Sequence, residues 1–236
     1  MADCIEDNEK NGTVFGSKIE FVEINCDSVP LEAWDVSADK SKTIWAWVSK
    51  KSTGCILNIG SENGVYANSN CRNLFYRYEN VREICFHDLF DTSYVTDMHG
   101  MFGDCKKMLT LEGSAFHNQK VMDMSFMFLN CENLKSLHII AEVKTDNVMD
   151  MQAMFQSCES LESLDISGFN TEQVREMSWM FYGCKELKEV DIKGFRTSNV
   201  TNMEAMFCGC EKLENLNVRS FDTRQVTNMN FMFSDC

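Results

Sequence analysis

The skeleton Val-x-x-Met-x-x-Met-Phe-x-x-Cys occurs six times in this chain, and no other feature constrains the fold as strongly. The copies run Val95–Cys105, Val121–Cys131, Val148–Cys158, Val174–Cys184, Val200–Cys210 and Val226–Cys236. Their period is 26 residues, stretched once to 27 between Cys131 and Cys158. A unit of that length cannot cover its own apolar side. The sequence therefore predicts a stack of coils in which each buries the next.

A second pattern follows the cysteine of each copy. Its clean versions are Leu161, Leu164, Ile166, Phe169, then Leu187, Val190, Ile192, Phe195, then Leu213, Leu216, Val218, Phe221. The period-two alternation of Leu164 and Ile166 predicts a short strand with one face inward, pairing in parallel from coil to coil. Val200, Met203, Met206-Phe207 and Cys210 instead recur at helical spacing, which predicts a short helix or helical turn with its apolar side inward. Between strand and helix, threonine fills one column at positions 92, 145, 171, 197 and 223, as a hydrogen-bonding ladder would require. The extra residue of the long coil falls within Ile140-Ala141-Glu142 and predicts a local bulge.

Composition narrows the function classes. A formal net charge of -14 leaves no basic stripe for nucleic acid. No stretch approaches the roughly 18 uninterrupted apolar residues of a membrane span, and the first residues, Met1-Ala2-Asp3-Cys4-Ile5-Glu6-Asp7, lack the basic and apolar regions of a secretory signal. Twelve cysteines would ordinarily suggest disulfides or a metal. Six of them, Cys105, Cys131, Cys158, Cys184, Cys210 and Cys236, occupy one repeat position. They read as a column of packed thiols in a reducing setting. A linear ladder does not supply the tetrahedral clustering of a zinc site, and no metal or other cofactor is expected. A disulfide is expected, if anywhere, among Cys4, Cys26, Cys55, Cys71 and Cys85.

The repeat resembles that of the BspA-like leucine-rich repeat surface proteins. The residues that carry this are Leu164-Asp165-Ile166-Ser167-Gly168-Phe169 together with Val200-Thr201-Asn202-Met203-Glu204-Ala205-Met206-Phe207-Cys208-Gly209-Cys210, and the likeness extends from Asn70 to Cys236. The resemblance implies an α/β solenoid, a right-handed leucine-rich-repeat-like stack with parallel strands on one face and short helices on the other. It also implies a cell-surface or secreted protein used for adhesion and protein binding, with no catalytic residues. The alternative left open by the thiol count is a cytoplasmic scaffold for protein–protein interaction.

Three regions are expected: residues 1–18 as an acidic mobile segment, 19–69 as a β-rich cap, and 70–236 as the repeat stack with a degenerate first coil. The cap reads as antiparallel, with Asn63-Gly64 turning a hairpin. No polar closing repeat precedes Cys236, so self-association through an uncapped C-terminal end is a further expectation.

Enzymatic chemistry finds little footing. His87, His99, His117 and His138 sit at four different repeat positions, and nothing resembles a triad or a phosphate loop. Two binding surfaces remain. The outward strand column His138, Asp165, Asp191 and its neighbours Lys193 and Arg219 form a charged sheet, which nominates these five residues for a protein partner. The residue before each Met-Phe pair alternates small and aromatic: Gly100, Phe126, Ala153, Trp179, Ala205, Phe231. Interdigitation explains that alternation, and Phe126 with Trp179 form the rival aromatic site.

Overall fold

The computed structural model describes residues 19–25, 30, 33–35, 44–51, 54–61, 64–87, 89–112, 119–137 and 143–236. His138 and the Ile140–Glu142 bulge lie outside them, as does the 1–18 segment.

The chain opens with β1 (Ile19–Asn25), β2 (Trp34–Asp35), β3 (Trp45–Lys51), β4 (Gly54–Gly60) and β5 (Val65–Tyr66). The coils add β6 (Glu83–Cys85), β7 (Phe90–Asp91), β8 (Thr110–Glu112), β9 (Ser163–Leu164) and β10 (Glu189–Val190). One mixed sheet runs β2-β3-β4-β1-β6-β8, and two-stranded sheets pair β9 with β10 and β5 with β7. The opening region is β-rich but only partly antiparallel. β3 and β2 pair antiparallel, whereas β1 lies parallel to both β4 and β6. β5 makes no hairpin with β4 and pairs instead in parallel with β7. Val22 and Ile24 of β1 thus close the first coil by extending its sheet, and both are buried.

The expected α/β solenoid with helices on one face is overturned. Among the described residues there is no helix, and the Met-Phe-Cys segments are runs of turns. The hydrogen bonds show why. In the coil around Phe155, the N–H groups of Met151, Ala153, Phe155 and Ser157 donate to Glu176, Ser178, Met180 and Tyr182 of the next coil at 2.7–3.0 Å. Those of Met154, Gln156 and Cys158 donate back three residues, to Met151, Ala153 and Phe155, at 3.1–3.3 Å. An α-helix would use every N–H within its own segment. Here alternate groups join the coils. Two left-handed residues per coil allow this, Ala153 (φ 52°) and Ser157 (φ 57°) in this one, and their counterparts recur from Asn73 and Arg77 to Phe231 and Asp235. Such a conformation costs an L-residue about 1–2 kcal/mol and ends any right-handed helix. The sequence did carry a signal. The residue before each ladder cysteine is Asp104, Asn130, Ser157, Gly183, Gly209 or Asp235, mostly types that enter the left-handed region readily.

The coil interiors are columns. Phe75, Phe102, Phe128, Phe155, Phe181, Phe207 and Phe233 stack ring on ring, with centroids 5.3–5.9 Å apart and planes within 13°. Each ladder thiol donates to the carbonyl of the phenylalanine one coil back: Cys131 Sγ to Phe102 O at 3.3 Å, and Cys158 to Phe128 and Cys184 to Phe155 at 3.2 Å. All six ladder cysteines are free thiols, and five are buried. Cys71 and Cys85 are also free, whereas Cys55 is disulfide-bonded. At the corner before each turn run, Thr145, Thr171 and Thr197 donate Oγ1 to the carbonyls of Asn170, Arg196 and Asp222 at 2.9–3.0 Å and accept from the same residues' N–H groups at 2.7–2.8 Å. A hydroxyl is the smallest group that can do both.

A column of parallel bridges connects Asn70, Asp97, Asp123, Asp150, Glu176, Asn202 and Asn228. Its side chains serve the backbone, each accepting from the N–H two residues on, as Asp150 Oδ1 does from Gln152 at 2.8 Å. Four successive members are acids. Arg72 reaches Asp97 and Asp123 at 3.6 and 3.8 Å, but burial, with Asp123 and Glu176 on either side, raises the Asp150 pKa. A raised folded-state pKa means that the ionised carboxyl works against folding. The penalty is absent below the ordinary carboxylate range and grows as pH rises through it. Asp150→Asn keeps the turn acceptor, as Asn202 and Asn228 do in their coils. The variant should therefore melt higher than the parent at neutral pH, and the gap should close as pH falls below the carboxylate range. A variant that melts lower at pH 7 would show that the charge is compensated.

Candidate functional site: a groove across the stacked strands

Where the coil strands shorten to two residues, their outward side chains enclose a groove of about 630 Å³. It crosses four coils. The backbone of the inward residues Leu137, Leu164, Val190 and Leu216 runs along its floor, and two outward columns form the rims: Ser136, Ser163, Glu189 and Asn215 on one side, Asp165, Asp191 and Asn217 on the other. Ser167 and Lys193 complete its lining.

The rim acids are anchored by their own turns. Asp165 Oδ1 accepts from the Ser167 N–H at 3.1 Å and from its hydroxyl at 2.7 Å, and these bonds hold the carboxyl below its usual pKa. It is therefore ionised at neutral pH. Asp191 Oδ1 accepts from the Lys193 N–H at 3.1 Å, and its other oxygen lies 3.5 Å from Lys193 Nζ. Asn217 repeats the motif without the charge, accepting from Arg219 N–H at 3.1 Å. The groove thus presents rigid backbone-held carboxylates, amides and hydroxyls with one ammonium. That set can hydrogen-bond and pair with an extended chain.

The structure brings together Asp165, Asp191 and Lys193 of the residues nominated from sequence. Arg219 stands one coil further on, exposed and outside the groove lining. His138 lies outside the described residues. Phe126 and Trp179 belong to the turn runs, outside the groove, and both are partly buried. The second rim, Ser163, Glu189 and Asn215, went unread in the sequence, although Ser163 and Glu189 sit two residues before the nominated Asp165 and Asp191 and so share their face, as Asn215 does with Asn217.

Among the described residues no group of three or more histidine, cysteine or acidic side chains is placed to hold a metal ion. No helix among them is long and apolar enough to cross a membrane.

These features define a repeat protein of stacked coils, joined by backbone hydrogen bonds between neighbours and carrying an open groove. The chain belongs to the DUF285 family, described as Mycoplasma protein of unknown function, whose pattern matches it three times, over residues 69–162, 96–191 and 185–236. No curated protein and no solved structure matches the chain.

Proposed function

We propose that the chain is a non-enzymatic module that binds a protein partner along the groove. The observation that carries this reading is a rigid trough across four coils whose floor is strand backbone over the buried Leu137, Leu164 and Val190, while its rim residues differ from coil to coil. Stacked-repeat proteins use such extended surfaces for recognition. The BspA-like character of the repeat supports placing this binding at a cell surface, as adhesion. The Cys55 disulfide supports the same setting, because disulfides persist where the surroundings oxidise. The free ladder thiols are compatible with it, since burial shields them. They are also the observation that favours the second reading, a cytoplasmic scaffold.

The experiment changes charge without changing shape. Asp165→Asn with Asp191→Asn keeps both turn bonds, as Asn217 does, and removes two carboxylates from one rim. Capture of partner proteins from extracts should fall in the double variant, and capture by the parent should fall as salt rises. Unchanged capture by a folded double variant would remove the groove as the site. Fractionation of the native cell decides between the two settings.

A further inference from the structure

A second surface carries a different chemistry. The turn runs of three successive central coils, 125–130 (Ser-Phe-Met-Phe-Leu-Asn), 152–157 (Gln-Ala-Met-Phe-Gln-Ser) and 178–183 (Ser-Trp-Met-Phe-Tyr-Gly), contain no charged residue, in a chain whose formal net charge is -14. They form an uncharged strip between the acidic bridge column (Asp97, Asp123, Asp150, Glu176) and a lysine–glutamate column that includes the pairs Lys106–Glu132 and Glu159–Lys185.

Aromatic residues stand at the first and third coils of this strip, Phe126 and Trp179, and Phe231 repeats the position two coils further on, beyond a coil that carries Glu204. Phe126, Trp179 and Phe231 occupy the same left-handed position, at φ 58°, 57° and 58°. Two coils at the strand spacing separate their backbones by about 10 Å. A bulky side chain is an outlier in that conformation, and such strain marks a position kept for something besides backbone geometry. Gly100, Ala153 and Ala205 fill the same position in the intervening coils at lower steric cost. The two alanines are 0% and 4% exposed, and the Phe126 ring packs against His99 of the preceding coil at 5.1 Å between centroids. Phe126 and Trp179 remain only partly buried, and Tyr182, three residues after Trp179, is 40% exposed. Gln152 and Gln156 stand among them with amide groups. The backbone beneath is bonded to a coil on each side, so the spacing is rigid.

We propose that this strip binds a neutral β-linked glycan running along the stack. In an extended β-linked chain successive sugars flip, so every second unit presents the same apolar C–H face. An aromatic residue at every second coil, about 10 Å apart, matches that two-unit repeat. The intervening units meet amides and hydroxyls. An uncharged strip on an otherwise acidic molecule suits an uncharged ligand, and fixed rings keep the ordering cost of binding low. This site is independent of the protein-binding groove, and the two stand or fall separately.

The test is calorimetric titration of the full chain with cellohexaose and chitohexaose, with α-linked maltohexaose as the geometric control. At least one β-linked hexamer should bind, with an affinity unchanged by sodium chloride, and maltohexaose should bind more weakly. Trp179→Ala and Phe126→Ala should each weaken binding about tenfold, because alanine is already accommodated at this position in two coils. Asp165→Asn with Asp191→Asn should leave it unchanged. In the unaltered chain, bound hexamer should shield Trp179 from oxidation by N-bromosuccinimide, read by peptide mass spectrometry. The proposal is overturned if neither β-linked hexamer binds, if maltohexaose binds equally well, if a folded Trp179→Ala chain binds as the parent does, or if Trp179 is not shielded. Capture of a protein at Trp179 in place of the glycan would overturn it as well.

Discussion

Phe155→Ala is expected to cost about 3–5 kcal/mol and to lower the melting temperature more than any surface change in this chain. The ring is fully buried and sandwiched between Phe128 and Phe181, at centroid distances of 5.6 and 5.7 Å. Removing it breaks two stacked contacts at once, in the middle of a column whose members have no other means of filling the space. Each coil is held chiefly by its neighbours, so the loss also uncouples the coils on either side. Urea melts followed by far-ultraviolet circular dichroism should show an earlier and broader transition. Met203→Ala, also fully buried, should cost about 2–5 kcal/mol by the same loss of packing. Glu186→Ala, which removes an exposed pairing with Lys212, should leave the melt nearly unchanged. Equal shifts for Phe155→Ala and Glu186→Ala would mean that the inward and outward columns are wrongly assigned.

Thiol chemistry should separate the five buried ladder cysteines from Cys208 and Cys236 by orders of magnitude. Burial pushes the Cys105, Cys158 and Cys210 thiols up to about 12 and raises those of Cys131 and Cys184 well above the ordinary range. The thiolate is the reacting species. A thiol at about 12, where an ordinary one lies at 9.0, therefore presents about a thousandfold less of it at pH 8, before lack of access is counted. Alkylation by iodoacetamide in native protein should leave Cys105 to Cys184 unmodified while Cys208, which is partly exposed, reacts. In denaturant all should react together. Cys236 is exposed and should follow Cys208. Mass spectrometry of tryptic peptides reads each site. Disulfides between successive ladder cysteines, or rapid native labelling of Cys158, would sink the packed-thiol account.

The candidate site was half legible. Asp165, Asp191 and Lys193 could be placed on one outward face, because the Leu-x-Ile alternation shows which neighbours point away from the core. The groove itself could not be read. It spans four coils, and only their stacking brings Ser136, Ser163, Glu189 and Asn215 into one row. The rim residues Ser163, Glu189 and Asn215 vary in type from coil to coil and share only their position.

The sequence by itself determined the period, the inward columns of methionine, phenylalanine and cysteine, and the threonine corner. These are repeated side chains, and repetition marks what must fit against itself. Tertiary structure decided how the Met-Phe-Cys segment winds, with only the residue types before the ladder cysteines hinting at it. Apolar residues such as Met151, Met154, Phe155 and Cys158 face one side equally well in a helix or in a chain of left-handed turns. Their spacing cannot tell the two apart. What separates them is the destination of alternate N–H groups, and those find carbonyl partners such as Ser178 and Met180 only once the next coil is in place. A hydrogen bond between residues some 25 apart leaves no trace in local spacing, and it is that bond which turned an expected helix into a ladder of turns.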